Sequence, residues 1–235
     1  MSLCHSFRIG FLVLCNSGLL FLLSCHAESV MRAITENAEV RYGAHGVLEY
    51  MKGDDLLPAP EDPIQFNEMR EQNRYEDIAF AFLASIKDLL KSKNPKSDFE
   101  YIGVSVDQFQ MKHVMLQQVF YGIPLWGKKI YVHLNKGNKV YLSQGNSVPT
   151  LSEMNTMPGI SKNEAVSHAI EDVSKGKGGW DSKKEELVIY VDDRSAPRLA
   201  YVITLVKGLA GREFYIIDAK KGEVIKRISG IHSVP

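Results

Sequence analysis

The stretch HVMLQQVFYGIPLWGKKIYVH, residues 113–133, carries the strongest indication of the fold. Two runs rich in β-branched and aromatic residues flank YGIPLWG, and such runs are typical of β-strands. The connection lacks the Asn-Gly or Asp-Gly pair that marks many tight hairpin turns. Two adjacent amides, Gln117 and Gln118, interrupt the first run. We expect these amides to hydrogen-bond across a sheet face or to the neighbouring loop.

The apolar segment between the two strands is predicted to form a preorganised tip. Gly122 and Gly127 permit backbone angles that other residues resist, and Pro124 stiffens the segment between them. Leu125 and Trp126 would then project from the tip as contact residues, since tryptophan is over-represented at interface hot spots. The alternative is that Trp126 folds back and caps the protein's own core.

The surrounding patterns predict two successive units of one helix followed by antiparallel strands. In the first unit, apolar spacing predicts a helix over 66–93. In the second, the capping-box pair Ser161 and Glu164 opens a helix. Strand-like runs follow the first helix at 99–106, 113–121, 128–134 and 139–148, and the second at 186–191, 198–206, 212–218 and 223–228. The predicted fold class is α+β, with two tandem helix-plus-antiparallel-sheet subdomains of the cystatin-like kind.

The N-terminal residues differ from the rest, because Arg8 is the one charged side chain among the first 25 and a short apolar run follows it. This composition predicts a signal peptide. LLSC, ending at Cys25, resembles a bacterial lipobox, at which Cys25 would be lipidated and would attach the chain to a membrane. The alternatives are cleavage after Ala27 by ordinary signal peptidase and an uncleaved N-terminal anchor. The predicted organisation is a signal peptide at 1–25, a partly ordered segment at 26–65, the first subdomain at 66–149, a linker at 150–158 and the second subdomain at 159–235.

Composition and motifs argue against several functional classes. The 28 basic and 28 acidic residues balance, which gives no indication of a nucleic-acid partner. All three cysteines lie within the first 25 residues, so the exported chain would have no thiol for catalysis or metal binding. The sequence contains no G-x-S-x-G motif, and no two histidines have the spacing of a thermolysin-type zinc helix. We therefore expect no catalytic residues, metal or cofactor, although a zinc site assembled from His45, His113 and His133 stays open.

The opening stretch resembles the core of the fungalysin/thermolysin propeptide domain. That family has a strand of the type H-V-x-x-Q-Q, an aromatic residue, a G-[IV]-P-V-x-G segment and a strand ending in V-H. The glycine that often precedes the histidine strand is missing from DQFQMKH, which affects at most a turn. The positions that match are His113, Val114, Gln117, Gln118, Gly122, Pro124, Gly127, Val132 and His133.

The second half resembles a PepSY domain, which follows the propeptide motif in thermolysin-like zymogens. ISKNEAVSHA, APRLAYVITL and FYIIDAKKGEVIKR carry this resemblance, and the two resemblances together cover about residues 40–230. The resemblance implies a propeptide that folds and blocks a secreted thermolysin-like zinc metalloprotease. Since the sequence ends at SGIHSVP, we expect it to act in trans as an inhibitor, a folding chaperone or both, and not as an enzyme. A lipid-anchored envelope binding or scaffold protein without a protease target is the alternative.

The last residues form a separate hypothesis about protease contact. In such zymogens the end of the propeptide enters the protease cleft, which favours bulky aliphatic side chains after the scissile bond. Ile231 and Val234 supply such side chains, and His232 lies between them. Leu125, Trp126 and these three residues are therefore the predicted protease contacts.

Overall fold

A computed structural model describes residues 38–57, 63–174, 178–192, 196–208 and 211–229. It confirms the α+β class and the two tandem units of helix and antiparallel sheet. The first unit contains β1 (Glu39–Tyr42), β2 (Leu48–Lys52), α1 (Pro63–Glu71), α2 (Tyr75–Ser85), α3 (Pro95–Asp98), β3 (Phe99–Val106), β4 (Lys112–Phe120), β5 (Ile123–Leu134) and β6 (Val140–Gly145). The second contains α4 (Lys162–Ser174), β7 (Asp181–Tyr190), β8 (Arg198–Lys207), β9 (Gly211–Asp218) and β10 (Val224–Ser229).

The first sheet has the antiparallel order β1-β2-β6-β5-β4-β3. Alternate residues of its strands, such as Val114, Leu116 and Val132, are fully buried and share a core with Phe82 of α2. The opposite face carries the intervening, more polar residues, as expected for an antiparallel sheet that packs helices on one side. Strands β1 and β2, which lie in the segment predicted to be partly ordered, extend this sheet.

The single helix predicted over 66–93 is wrong, because the structure divides it at residues 72–74. Asn73 has a φ of 56°, which asparagine adopts more readily than most residues. The Arg74 N–H donates to the Met69 carbonyl and the Asn73 N–H to the Arg70 carbonyl, which is the Schellman pattern of a helix end. The apolar spacing continues across the break, and for that reason it did not reveal the helix end.

The second sheet has the order β7-β8-β9-β10, again antiparallel, and α4 packs against one face. The predicted capping box is confirmed. The Ser161 N–H donates to Glu164 Oε2 at 2.7 Å, and the Glu164 N–H donates to Ser161 Oγ at 3.2 Å. The helix buries Ala165 and Ala169 against the sheet, and these small side chains let it lie close to β8 and β9.

The hairpin between β4 and β5 differs from the predicted apolar tip. Phe120 pairs directly with Ile123, so the turn consists of Tyr121 and Gly122 alone. Their φ values of 49° and 75° are both positive, as in type I′ turns, and the Tyr121 side chain is 76% exposed. The Ile-Pro-Leu-Trp segment belongs to β5 and does not form the tip. Residues 135–138 form the hairpin loop between β5 and β6.

Candidate functional site

Strand β5 leaves the first sheet for four residues and rejoins it. Gln117 pairs with Lys129, and the next pair along β4 is Val119 with Pro124. Residues 125–128 therefore bulge outward opposite Gln118. A bulge of this kind leaves backbone groups without their ladder partners, and buried backbone groups need replacements. We call residues 124–128, together with Gln117 and Gln118, the junction.

Gln117 supplies one set of replacement donors. Its Nε2 lies 2.9 Å from the Gln118 carbonyl, 2.8 Å from the Leu125 carbonyl and 2.9 Å from the Lys128 carbonyl. The side chain is buried, so these contacts stabilise the bulge from inside. The expectation that the amide bonds to the neighbouring loop is confirmed.

Gln118 holds a different segment of the chain. Its Nε2 donates to the Val148 carbonyl at 2.7 Å, and its Oε1 accepts from the Val148 N–H at 2.9 Å. This reciprocal pair imitates a backbone pair between strands. It fixes the start of the connection between the two units, since Val148 follows β6 and packs in the second core.

The bulge reaches into the second unit on both faces of its sheet. Leu125 pairs in parallel with Ile189 of β7, and its side chain is 1% exposed in the core beneath α4. Trp126 turns to the opposite face and packs beside Tyr190, with ring centroids 5.8 Å apart. The prediction that Leu125 projects from a tip is therefore wrong, because consecutive strand residues point to opposite faces and Leu125 faces inward. Trp126 folds back onto the protein, in agreement with the alternative given above.

Gly122 and Gly127 are needed for their positive φ angles, and not because a side chain would be too large for the site. Gly127 has a φ of 71°, and a Cβ atom added there or at Gly122 would meet no atom within 4 Å. A side chain would fit at both positions, but the left-handed backbone favours glycine. Gly127 thus turns the chain back from the second sheet to the first.

A groove of about 750 Å³ lies between the junction and the outer face of the second sheet. The junction forms one wall through Pro124, Trp126 and Gly127. The floor is largely apolar and comes from the strands of the second unit: Val188, Tyr190, Val202 and Phe214. The groove therefore requires both units, held at a fixed separation by the bulge.

Charged side chains surround this apolar floor. Five are cationic, namely Lys128, Lys129, Lys184, Arg212 and Lys226, and two are the carboxylates of Glu186 and Asp192. Lys184 forms an ion pair with Glu186 at 2.9 Å. Within the described ranges, Lys129, Arg212 and Lys226 form no ion pair. The groove consequently carries a local positive excess in a chain whose charges balance overall.

The motif histidines form a pair on the first sheet, away from the groove lining. His113 and His133 lie directly opposite each other on β4 and β5, with Nδ1 atoms 2.6 Å apart, and His113 Nε2 lies 3.2 Å from Asp107 Oδ2. Burial, aided by the nearby charge of His113, lowers the pKa of His133 to about 4. Backbone N–H groups, foremost that of Met111, lower the pKa of the Asp107 carboxyl. The pair ties β4 to β5 and to the loop that precedes β4.

The zinc hypothesis finds no support in the described part of the chain. No group of three or more His, Cys, Asp or Glu side chains there is arranged to hold a metal ion. His45 lies in a short 3₁₀ turn at Ala44–Gly46, where Lys91 Nζ donates to its carbonyl. In the same ranges, no helix has the length and apolar character needed to cross a membrane.

The remaining predicted site residues lie outside the described ranges. These are Cys25 of the leader and Ile231, His232 and Val234 of the C-terminal segment. Sequence reasoning missed the basic side chains of the groove, because Lys184, Arg212 and Lys226 come from three separate strands with no local motif. No pattern within β7, β9 or β10 singles out these side chains.

Each unit contains a segment that matches a known family. Residues 97–147 match the family described as Fungalysin/Thermolysin Propeptide Motif, and residues 159–228 match Peptidase propeptide and YPEB domain. Bacillolysin of Brevibacillus brevis is 28% identical over 169 residues, which cover 68% of this chain and 32% of the relative. Thermolysin of Alicyclobacillus acidocaldarius subsp. acidocaldarius is 26% identical over 169 residues, covering 68% and 31%.

One more curated relative and one solved structure also match. Neutral protease B of Bacillus subtilis (strain 168) is 25% identical over 182 residues, which cover 74% of this chain and 32% of the relative. The C-terminal domain of Bacillus megaterium YpeB aligns with a TM-score of 0.41 and 11% identity, over 88% of this chain and 97% of that one. The chain spans about a third of the length of the curated relatives it matches. It contains a fungalysin/thermolysin propeptide motif followed by a PepSY domain, the pair found in the propeptide region of thermolysin-like proteases.

Proposed function

We propose that this protein binds a secreted thermolysin-like zinc metalloprotease in trans, as an inhibitor, a folding chaperone or both. The main support for the proposal is that both units match propeptide domains and that the junction connects them through the pairing of Leu125 with Ile189. Leu125 and Trp126 enter opposite faces of the second sheet, so the two domains present one shaped surface. A surface that is ordered before binding loses less entropy on association, which favours affinity.

The proposed role is binding, without bond cleavage by the chain itself. An inhibitor or chaperone needs a large complementary surface, and a stable complex buries about 1,200 Å² or more in total. We further propose that the chain is exported, and that acylation of Cys25 holds it at the cell envelope. A lipid-anchored scaffold without a protease partner is the function that remains if the protease experiment below fails.

The C-terminal segment is the second proposed contact with the protease. Strand β10 ends at Ser229, whose hydroxyl donates to Glu213 Oε2 at 2.7 Å, and residues 230–235 follow. We propose that Ile231 and Val234 occupy the substrate cleft and that His232 approaches the zinc of the target. Since β10 ends at Ser229, we expect a chain that ends there to keep its stability and to inhibit less well.

The test is inhibition of purified thermolysin by the separately produced chain. We expect stable inhibition, a rise of about 10-fold in the inhibition constant on removal of residues 230–235, and an unchanged melting temperature. A parallel assay measures how much activity a denatured thermolysin recovers with and without the chain. Full protease activity beside excess folded chain, together with no gain in refolding, would reject the proposed function. An unaltered inhibition constant after truncation would reject only the role of the C-terminal segment.

A further inference from the structure

We propose that the groove between the junction and the second sheet binds an acidic segment of the partner protease that carries an apolar side chain at its centre. This inference rests on the proposed function for the identity of the partner. Beyond that function, it identifies the groove as the contact surface and an acidic segment with a central apolar side chain as its ligand.

The shape of the groove determines the central part of the segment. Its volume of about 750 Å³ lies within the range of about 300–1,000 Å³ typical of ligand sites. Val202 on the floor is only partly buried, and Trp126 closes one side with its indole ring. An aliphatic or aromatic side chain inserted there would cover apolar surface that is now open to water.

The charges determine what flanks that side chain. Arg212 and Lys226 are exposed on β9 and β10, and Lys129 is half-buried at the opposite wall. Since these three cations form no ion pair within the described ranges, a carboxylate of the partner would not have to displace an internal one. Opposite charges across an interface raise the association rate and select among partners more than they raise affinity.

The two carboxylates of the groove refine this assignment. Glu186 is paired with Lys184, and Asp192 lies beside Tyr190 at the end of β7. A polymer with a negative charge on every unit would be repelled by Glu186 and Asp192, because it could not keep its charges away from them. A short protein segment can place its few carboxylates near Lys129, Arg212 and Lys226 and its apolar side chain over Val202.

Arg212 and Lys226 form what we call the rim of the groove, and reversing their charges tests the inference without disturbing the junction. The double variant Arg212→Glu and Lys226→Glu changes two exposed side chains of the groove. The matched control is Lys183→Glu with Lys221→Glu, because both lysines are exposed and neither lines the groove. Thermal melting of each variant confirms that the fold persists. The measurement is the association rate and affinity for thermolysin at low and at high salt.

We expect the rim variant to bind thermolysin about 10-fold more weakly at low salt, chiefly through slower association, and to lose most of its salt dependence. The control pair should change affinity by less than about 2-fold. If the unmodified chain binds and the rim variant binds equally well, the groove assignment is wrong while the proposed function stands. If the unmodified chain does not bind at all, the proposed function fails and this inference fails with it.

Discussion

Gln117 and Gln118 show why a strand of this protein contains two adjacent amides. The bulge in β5 removes ladder partners from backbone carbonyls, and the two Nε2 hydrogens of Gln117 are shared among three carbonyls at 2.8–2.9 Å. Gln118 performs the equivalent task for Val148, with one donor and one acceptor. Sequence reasoning anticipated a hydrogen-bonding role, but it did not identify the partners, because these depend on a bulge and a connection distant in sequence.

Replacing Gln118 by leucine should destabilise the protein by about 2–4 kcal/mol. Leucine nearly fills the same volume, yet both the N–H and the carbonyl of Val148 lose a buried partner. Urea unfolding measures the difference. Gln144→Leu is the matched control, since Gln144 is exposed on β6, and it should shift the unfolding free energy by no more than about 0.5 kcal/mol. Equal losses in the two variants would show that the Gln118 pair contributes little.

His133 should make the protein less stable in acid. Its side chain is 8% exposed, and its folded-state pKa of about 4 lies below the ordinary value of 6.5. The unfolded chain therefore binds a proton at this histidine before the folded chain does. The contribution is fully present above pH 6.5 and is lost as the pH falls towards 4, by at most about 3 kcal/mol.

The measurement is the free energy of urea unfolding at several pH values between 7 and 4, for the natural chain and for His133→Phe. Phenylalanine keeps a ring between Tyr131 and Tyr141 but does not titrate. Asp107 and His113 face the same position and are retained in both proteins. We expect a shallower dependence on pH in the variant. Parallel curves for the two proteins would contradict the assignment of this pH dependence to His133.

Strand β5 pairs with strands of both sheets. Its C-terminal half lies between β4 and β6, whereas Leu125 pairs with β7 of the second unit. Periodicity predicted the strands and the capping box well, because those signals are local. It missed the helix break at Asn73 and the tight turn at Tyr121, since both depend on single residues with positive φ inside an otherwise continuous apolar pattern.

Leu125→Ala should cost about 2–5 kcal/mol, as expected for a fully buried leucine. It should also loosen the attachment of the second sheet to the first unit. In a Trp180→Phe background, Trp126 is the one remaining tryptophan of the two in the sequence and reports on the junction. We expect its fluorescence to change at a lower urea concentration than the far-ultraviolet circular dichroism does. Coincident transitions in this variant would show that the junction does not unfold separately.

The groove exists because the bulge holds the two propeptide domains side by side. The repeated pattern of helix and strands indicated the two units, and the motif residues indicated the family. The groove itself was not predictable, because its cations come from different strands and its wall is a bulge that breaks the strand pattern. Trp126, singled out as a contact residue, serves first to join the units and second to line the groove.

We propose that this joined pair of domains binds a thermolysin-like protease. Titration calorimetry of the purified chain against thermolysin measures it most directly. We expect a one-to-one complex with a dissociation constant of about 1 μM or tighter, in keeping with a standard-sized interface. No heat of binding and no complex at protein concentrations of about 100 μM, with both proteins folded, would contradict it.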